Sequence, residues 1–399
     1  MLVKTLEDVL RRNERIDGGQ SVLELDEGIL NNKVLGIDKE LAGMDLHDGS
    51  NKMHTLPQVT VIIPERDEKN SICACLDAVL AQDYPHELLS ILVVDGLSTD
   101  GTREILKEYT HKYPILQVVD SPRKVVPAGF NLALQRTRAG IIVRVDGHTL
   151  IAPDYVRQCV AALQRSGADN AGGRMMAVSA TSFGQAVACA TSTPFGVGGS
   201  RFHYSEKEEW VDSVYLGAWP RQVFSRIGLF DEELIRDQDD EFNYRLREQG
   251  GRILLSPAIH SEYSVRSTPY ALARQYYQYG YWKVRVLQKH PRQMSPRHFF
   301  PPVFVLGLIV SGLCLFSPGL PPLISVLGLV LPLCYILANL AASIITAAKK
   351  GWKMFILLPA VFAIIHLSYG SGFLVGLVAF AQRWSDRYGQ TPFLNEQDV

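Results

Sequence analysis

Charge is missing from two long stretches of this 399-residue chain: Phe299 to Ala348 and Met354 to Gln382 contain no Asp, Glu, Lys or Arg. A helix needs roughly 20 apolar residues to cross a bilayer, so two such stretches in succession argue against a wholly soluble chain. Net charge is lacking as well. The 40 basic residues are balanced by 41 acidic ones, which gives no field for a polyanion and argues against a nucleic-acid partner. Cysteine is sparse: Cys73, Cys75, Cys159, Cys189, Cys314 and Cys334 have no zinc-ligand spacing, and are expected to be small buried hydrophobes in a reducing compartment. The first residues lack the apolar core of a secretory leader, because Lys4, Glu7, Asp8, Arg11 and Arg12 interrupt it. No internal repeat or low-complexity tract is present.

Order is expected from Val59 onward. Residues 1–56 form a polar extension with a short amphipathic segment at Val3 to Arg12. Val59-Thr60-Val61-Ile62-Ile63 is continuous and β-branched, the pattern of a strand buried on both faces. Ile91 to Val94 and Ile141 to Val145 repeat it, and helical patterns at Ile72 to Leu80, Thr102 to Tyr113 and Ala128 to Thr137 lie between. Strands alternating with helices predict an α/β domain with a mixed, mainly parallel sheet over residues 57–270. Ligands of such sheets bind beyond the carboxyl ends of the strands. Those ends carry Glu65 to Glu68, Asp95, and Asp146 to His148.

Residues 271–298 form an aromatic-basic segment, and 299–382 divide at helix breakers into hydrophobic segments Pro301 to Phe316, Leu323 to Ala347 and Phe355 to Ala381, followed by a tail over 383–399. Gly370-Ser371-Gly372 offers the third segment a place to kink or re-enter. Tyr and Trp prefer the headgroup zone, and Lys283, Arg285 and Lys289 suit anionic membrane lipids. The basic loop Lys349-Lys350-Gly351-Trp352-Lys353 and the basic stretch Lys283 to Arg297 are expected in the cytoplasm, which predicts a multi-pass protein of the inner membrane whose α/β domain is cytoplasmic.

Three acidic constellations carry chemistry. In Asp146-Gly147-His148 the carboxylate and imidazole, two residues apart in extended chain, point the same way and can share a divalent cation. Such an ion would neutralise charge developing on a departing diphosphate. Asp95, at the end of a buried strand, is placed to accept hydrogen bonds from a base or ribose, whereas Asp100 is expected only to cap the next helix. Asp237-Gln238-Asp239-Asp240-Glu241 opens a helix, where acids complement its dipole. Crowded carboxylates also raise the proton affinity of one member toward a useful general base.

These pieces fall in an order that resembles the family 2 glycosyltransferases of the nucleotide-sugar-binding GT-A fold. The matching residues are Val-Ile-Ile-Pro-x-Arg-Asp-Glu at 61–68, Val-Val-Asp-Gly-x-Ser-x-Asp-Gly-Thr at 93–102 and Asp-Gly-His at 146–148. Gly228-x-Phe230-Asp231-Glu232, Gln238-Asp239-Asp240-Glu241-Phe242-x-x-Arg245-Leu246 and Gly250-Gly251 follow. With its membrane segments the chain looks most like bacterial exopolysaccharide transferases of the succinoglycan type.

The resemblance implies an inverting transferase that uses a nucleotide-sugar donor, a UDP-sugar by expectation, with Mg2+ or Mn2+. Its acceptor would be a polyprenyl-linked glycan, and other polysaccharide-assembly proteins would be its partners. It assigns Asp95 to the nucleoside, Asp146 and His148 to the metal diphosphate, and Asp239 to the general base. Pro64, Arg66, Glu68, Lys124 and Asn131 fall to the donor pocket, His260 to the metal and Arg266 to the diphosphate. Gln278 and Trp282 are acceptor candidates near the membrane. Gly196 to Ser200 would shape the acceptor pocket, with Trp219 as a stacking face for sugar. Two residues depart from the family pattern. His148 stands where the metal motif usually has a second Asp. Tyr281 replaces the arginine of the Gln-x-x-Arg-Trp motif of processive synthases, which disfavours the alternative of chain polymerisation. The other alternative, a non-catalytic scaffold with a transferase fold, is disfavoured because all three acidic positions keep suitable groups.

Overall fold

The computed structural model describes residues 56–317 and 321–386; the extension over 1–55, the centre of the Ser317–Pro322 connection and the tail beyond 386 lie outside them. One sheet organises the chain, in the order β3-β2-β1-β4-β8-β6-β9-β5, with β7 also on β9. Its strands are β1 (Val59–Glu65), β2 (Leu89–Asp95), β3 (Leu116–Asp120), β4 (Ile141–Arg144), β5 (Thr149–Ile151), β6 (Asn170–Val178), β7 (Glu209–Val211), β8 (Tyr215–Pro220) and β9 (Ile253–Ser264). From β3 to β4 the pairing is parallel. Beyond β4 it is mixed: β8 joins β4 and β6 antiparallel, while β6 and β9 run parallel.

Period-two alternation explains why the first strand is apolar throughout. Val61 and Ile63 enter one core with Ile72, Leu76, Val93 and Val156, whereas Ile62 enters the opposite core with Phe130, Phe224 and Phe230. Both faces are covered, so no polar alternation can appear. Of the cysteines only Cys75 and Cys159 are buried, and all six are free thiols; the expectation of uniform burial is corrected by the exposed Cys73 and Cys334.

Among the described residues, three helices are long and apolar enough to cross a membrane: Pro296–Phe316, Val326–Lys350 and Leu358–Ala379. The second hydrophobic segment begins with a short helix, Pro322–Gly328, before the main helix Val330–Lys350. Leu358–Ala379 runs as one continuous helix through Gly370, Ser371 and Gly372, so the chain does not break at these glycines. Their use is close packing. A Cβ on Gly372 would collide with the Tyr277 carbonyl oxygen, and one on Gly280 with that of Tyr369. Gly280 belongs to the helix Pro269–Lys289, which thereby lies against the last membrane helix at backbone distance, as small residues permit.

Enlarging this seam should destabilise the protein by about 1–3 kcal/mol. Gly280→Ala and Gly372→Ala are therefore expected to lower the melting temperature in detergent. Gly312→Ala, which has nothing within 4 Å of its added methyl, should leave it unchanged; equal melting of all three would contradict the packing role.

Candidate active site

The carboxyl ends of the strands open onto a cavity of about 1040 Å³ whose walls include Arg144, Asp146, His148, Asp237, Asp239 and Asp240. Asp146 and His148 reach it because β4 ends at Arg144 and a turn at Gly147 directs the next side chains outward. Arg144 Nε donates to Asp146 Oδ1 at 2.8 Å. Glu68 Oε1 lies 2.9 Å from His148 Nδ1, and Ser71 Oγ donates to Glu68 Oε2 at 2.7 Å. The carboxylate behind the imidazole fixes its orientation and leaves Nε2 as the nitrogen available to a ligand, the usual outer-shell arrangement of a metal-binding histidine. Burial works against a charged His148, but the Glu68 hydrogen bond and the nearby Asp146 carboxylate raise its proton affinity.

No three His, Cys, Asp or Glu side chains converge among the described residues to make a complete metal site. Asp146 and His148 alone fit an ion that takes one or two protein ligands and fills its shell with phosphate oxygens and water. His260 is exposed on β9, outside the cavity wall, and pairs in register with Arg174.

Asp239 sits in the first turn of the helix Gln238–Glu248. Burial raises its proton affinity, and the positive charge of Arg144 opposes that rise. Its neighbours are fixed from outside. Asp237 adopts a left-handed backbone, φ 61°, and burial pushes its carboxyl up to about 6. Lys283 Nζ lies 3.2 Å from Asp237 Oδ1 and also pairs with Asp240. Glu241 is held by Arg245 at 2.6 Å and by His290 Nε2 at 2.9 Å, which makes it a structural acid.

The basic residues once expected at the lipid surface are therefore inside. Lys283, Arg285 and Lys289 are 5%, 0% and 6% exposed. Arg285 pairs with Glu233 at 2.7 Å, and Lys289 with Asp231 and Glu233. Charges withdrawn from water require partners, and these partners are the acids leading into the Asp239 helix rather than lipid headgroups.

Asp95 is fully buried at the end of β2. Its Oδ1 accepts the Ser98 N–H at 2.9 Å, and Oδ2 pairs with Arg103. Although burial opposes ionisation, the hydrogen bonds from Ser98 keep its carboxyl low. Glu65 stands beside it, and burial together with the Asp95 charge pushes Glu65 up to about 9. Of the residues expected around the donor, Pro64, Arg66 and Lys124 line a separate small cavity of about 30 Å³ together with Glu65 and Gly96, whereas Glu68 and Asp95 do not. Asn131 does not join them: its amide donates to the Phe230 carbonyl at 2.9 Å and its oxygen accepts the Phe230 N–H at 3.0 Å. Asp100 accepts the Thr102 N–H and the Lys69 N–H, each at 3.0 Å, while the N-cap position of the next helix falls to Gly101, so its role as that helix's cap is corrected to a tie between two loops.

Arg266 and Gln278 line the large cavity, and so do Gly196, Val197, Gly198 and Ser200. Trp219 is buried in an aromatic core with Phe130, Phe224, Phe230 and Phe242, where no sugar can stack on it. Trp282 packs on Tyr281 and Phe380, away from the cavity wall. Arg144 escaped notice in the sequence, although an arginine inside a buried β-branched run signals a charge with an assigned partner. The cavity continues past the acids to Phe304, Tyr335, Ile365, His366 and Tyr369 of the apolar helices. His366 joins the two parts: Nδ1 is 3.1 Å from Tyr335 Oη, and Nε2 donates to the Phe195 carbonyl at 2.8 Å.

Residues 60–207 match the family model described as Glycosyl transferase family 2. The chain is 26% identical over 331 residues, 80% of its length and 97% of the relative's, to a dolichyl N-acetyl-alpha-D-glucosaminyl phosphate 3-beta-D-2,3-diacetamido-2,3-dideoxy-beta-D-glucuronosyltransferase of Methanococcus voltae. It is 28% identical to the succinoglycan biosynthesis protein ExoA of Rhizobium meliloti, covering 65% of this chain and 81% of that one. Among solved structures, a mannosyltransferase from Pyrobaculum calidifontis, in complex with GDP-Man and Mn2+, shares the fold with a TM-score of 0.52 at 20% identity. The match covers 84% of this chain and 94% of that one.

Removing Lys283 would leave two aspartates without their cation. Lys283→Met is expected to cost about 3 kcal/mol of stability, read as a lower melting temperature of the full chain in detergent, with Lys283→Arg close to the parent. Unchanged melting of the methionine variant would contradict the pairing.

Proposed function

From the premise that this chain is a family 2 glycosyltransferase, we propose that it moves one sugar, with inversion, from a UDP-sugar to a polyprenyl-linked glycan at the cytoplasmic face of the inner membrane. The observation that carries this reading is a single cavity walled by Asp146 and Asp239 at one end and by the apolar helices at the other. An acceptor with a lipid tail can lie along such a wall while its sugar hydroxyl meets the acids. The Methanococcus voltae relative, whose name includes a dolichyl-linked sugar phosphate, supports the acceptor class. The succinoglycan protein supports a role in surface-glycan assembly. The basic loop Lys349 to Lys353 supports the orientation.

Asp239 takes the proton of the acceptor hydroxyl. The freed oxygen forms a bond to the anomeric carbon from the face opposite the diphosphate, and the carbon–oxygen bond to the diphosphate breaks with its electron pair. Burial strengthens Asp239 as a base, and such a group typically contributes 10²–10⁴-fold. Asp146 and His148 would hold Mg2+ or Mn2+, and a bound divalent ion supplies positive charge to the leaving diphosphate. Arg266 adds a second cation on the same side of the cavity. Glu68 keeps His148 turned toward the ligand. Arg144 holds the Asp146 carboxylate in place, and its charge favours the ionised form of Asp239 against the effect of burial. Tyr281, in place of an arginine at the membrane helix, supports a single addition for each acceptor.

Asp239→Asn should lower transfer by at least about a hundredfold while nucleotide binding stays within a few-fold of the parent. Near-normal turnover would remove Asp239 as the base. Chelation, or Asp146→Asn, should instead weaken nucleotide binding by about tenfold or more, measured by calorimetry; metal-independent binding would contradict the assignment of Asp146.

A further inference from the structure

The cavity contains more positive charge than its own acids neutralise. Arg144 is paired with Asp146, Lys283 with Asp237 and Asp240, and Arg297 with Asp212. Arg236, Arg266 and Arg274 also line the cavity and make no ion pair among the described residues. Guanidinium groups on the wall of a partly enclosed space that have no carboxylate partner of their own mark where an anion is taken up, because their planar donors match phosphate oxygens.

The three arginines divide into two places. Arg266 is close enough to Glu68 and His148 for its charge to act on both, which puts it with the donor diphosphate. The other two line the cavity beside the helix Pro269–Lys289. Arg274 and Gln278 lie one turn apart on Pro269–Lys289 and so share a face. Arg236 Nε donates to Gln278 Oε1 at 3.2 Å. That helix is the one seated against the last membrane helix through Gly280 and Gly372.

We propose that Arg236, held by Gln278, and Arg274, one turn from Gln278 on the same helix, form a second anion subsite that receives the phosphate of the lipid acceptor, separate from the donor diphosphate beside Arg266. This rests on the lipid-acceptor reading above and deepens it: the acceptor is recognised by its charged linkage as well as by its tail. A lipid whose phosphate is held at this helix has its chain directed along Phe304, Tyr335 and Ile365, while its sugar extends toward Asp239. A neutral glycolipid of the same tail would leave the two guanidinium groups without a partner.

The test uses the full chain in detergent, with EDTA present, and two probes of one chain length: farnesyl diphosphate and farnesol. The parent protein should bind the diphosphate at least about tenfold more tightly. Arg236→Gln and Arg274→Gln should each remove most of that advantage, and Arg266→Gln should not. In a parallel titration with UDP and Mn2+ the order should reverse, with Arg266→Gln weakened and the other two unchanged, which also reports that they are folded. Equal binding of the two probes by the parent overturns the subsite and leaves the lipid-acceptor reading standing. Failure of both probes to bind overturns that reading as well. Loss of the diphosphate preference in Arg266→Gln alone, or of UDP binding in all three variants, would mean one shared anion site and also overturn the proposal.

Discussion

The buried cations of the helix Pro269–Lys289 and the acids between Asp231 and Asp240 constrain everything else in the site. Lys283, Arg285 and Lys289 are withdrawn from water, and each finds a carboxylate on the segment that leads into the Asp239 helix. Ionic groups in such a setting tolerate little displacement, since a lost partner leaves an uncompensated charge. Gln293 adds a bond to the Asp240 carbonyl at 2.9 Å, and His290 holds Glu241. The position of Asp239 is thus set by a helix that the apolar region holds from the other side. Gly280, Gly372 and Gly376 allow this, because a methyl at any of them would run into backbone of the facing helix. Membrane seating and active-site geometry are one mechanical unit.

Within that unit the polar groups differ in their freedom. Arg144 is paired with Asp146, and Glu68 with His148, so these side chains are oriented before any ligand arrives. Asp239 has no ion-pair partner of its own among the described residues, and its Oδ1 accepts the N–H of the adjacent Asp240 at 3.0 Å. The base role proposed for Asp239 needs a group held in place yet free to accept a proton, and its flanking residues supply the first condition. Further along the cavity the walls change from charged to aromatic as they pass Phe195 and His366. That gradient matches an acceptor with a polar head and an apolar tail.

Much of the fold could be read from the sequence, because continuous β-branched runs separated by helical periods have few other interpretations. The motifs at strand ends were legible for the same reason: Asp146, His148 and Asp239 are local in sequence, and the sheet topology brings such ends together. What stayed hidden depends on partners far along the chain. Lys283, Arg285 and Lys289 on an aromatic helix have the composition of a lipid anchor, and only the approach of Asp231 to Asp240 shows them to be internal clamps. Glu68 and His148 are 80 residues apart, so a carboxylate aligning the imidazole could not be inferred from spacing. Trp219 and Asn131 carry groups suited to ligands, yet aromatic packing and a backbone clamp to Phe230 account for them. Gly370 and Gly372 read as breakers in one dimension and as contact points in three.

The central claim is that donor chemistry and lipid acceptor meet in one cavity at the membrane. Its most direct test is the mass of the lipid product made by the purified full chain from nucleotide-sugars and a polyprenyl-linked acceptor. The account predicts a lipid-linked product heavier by a single sugar residue. A polymer ladder, or transfer only to water-soluble acceptors with the lipid untouched, would contradict it.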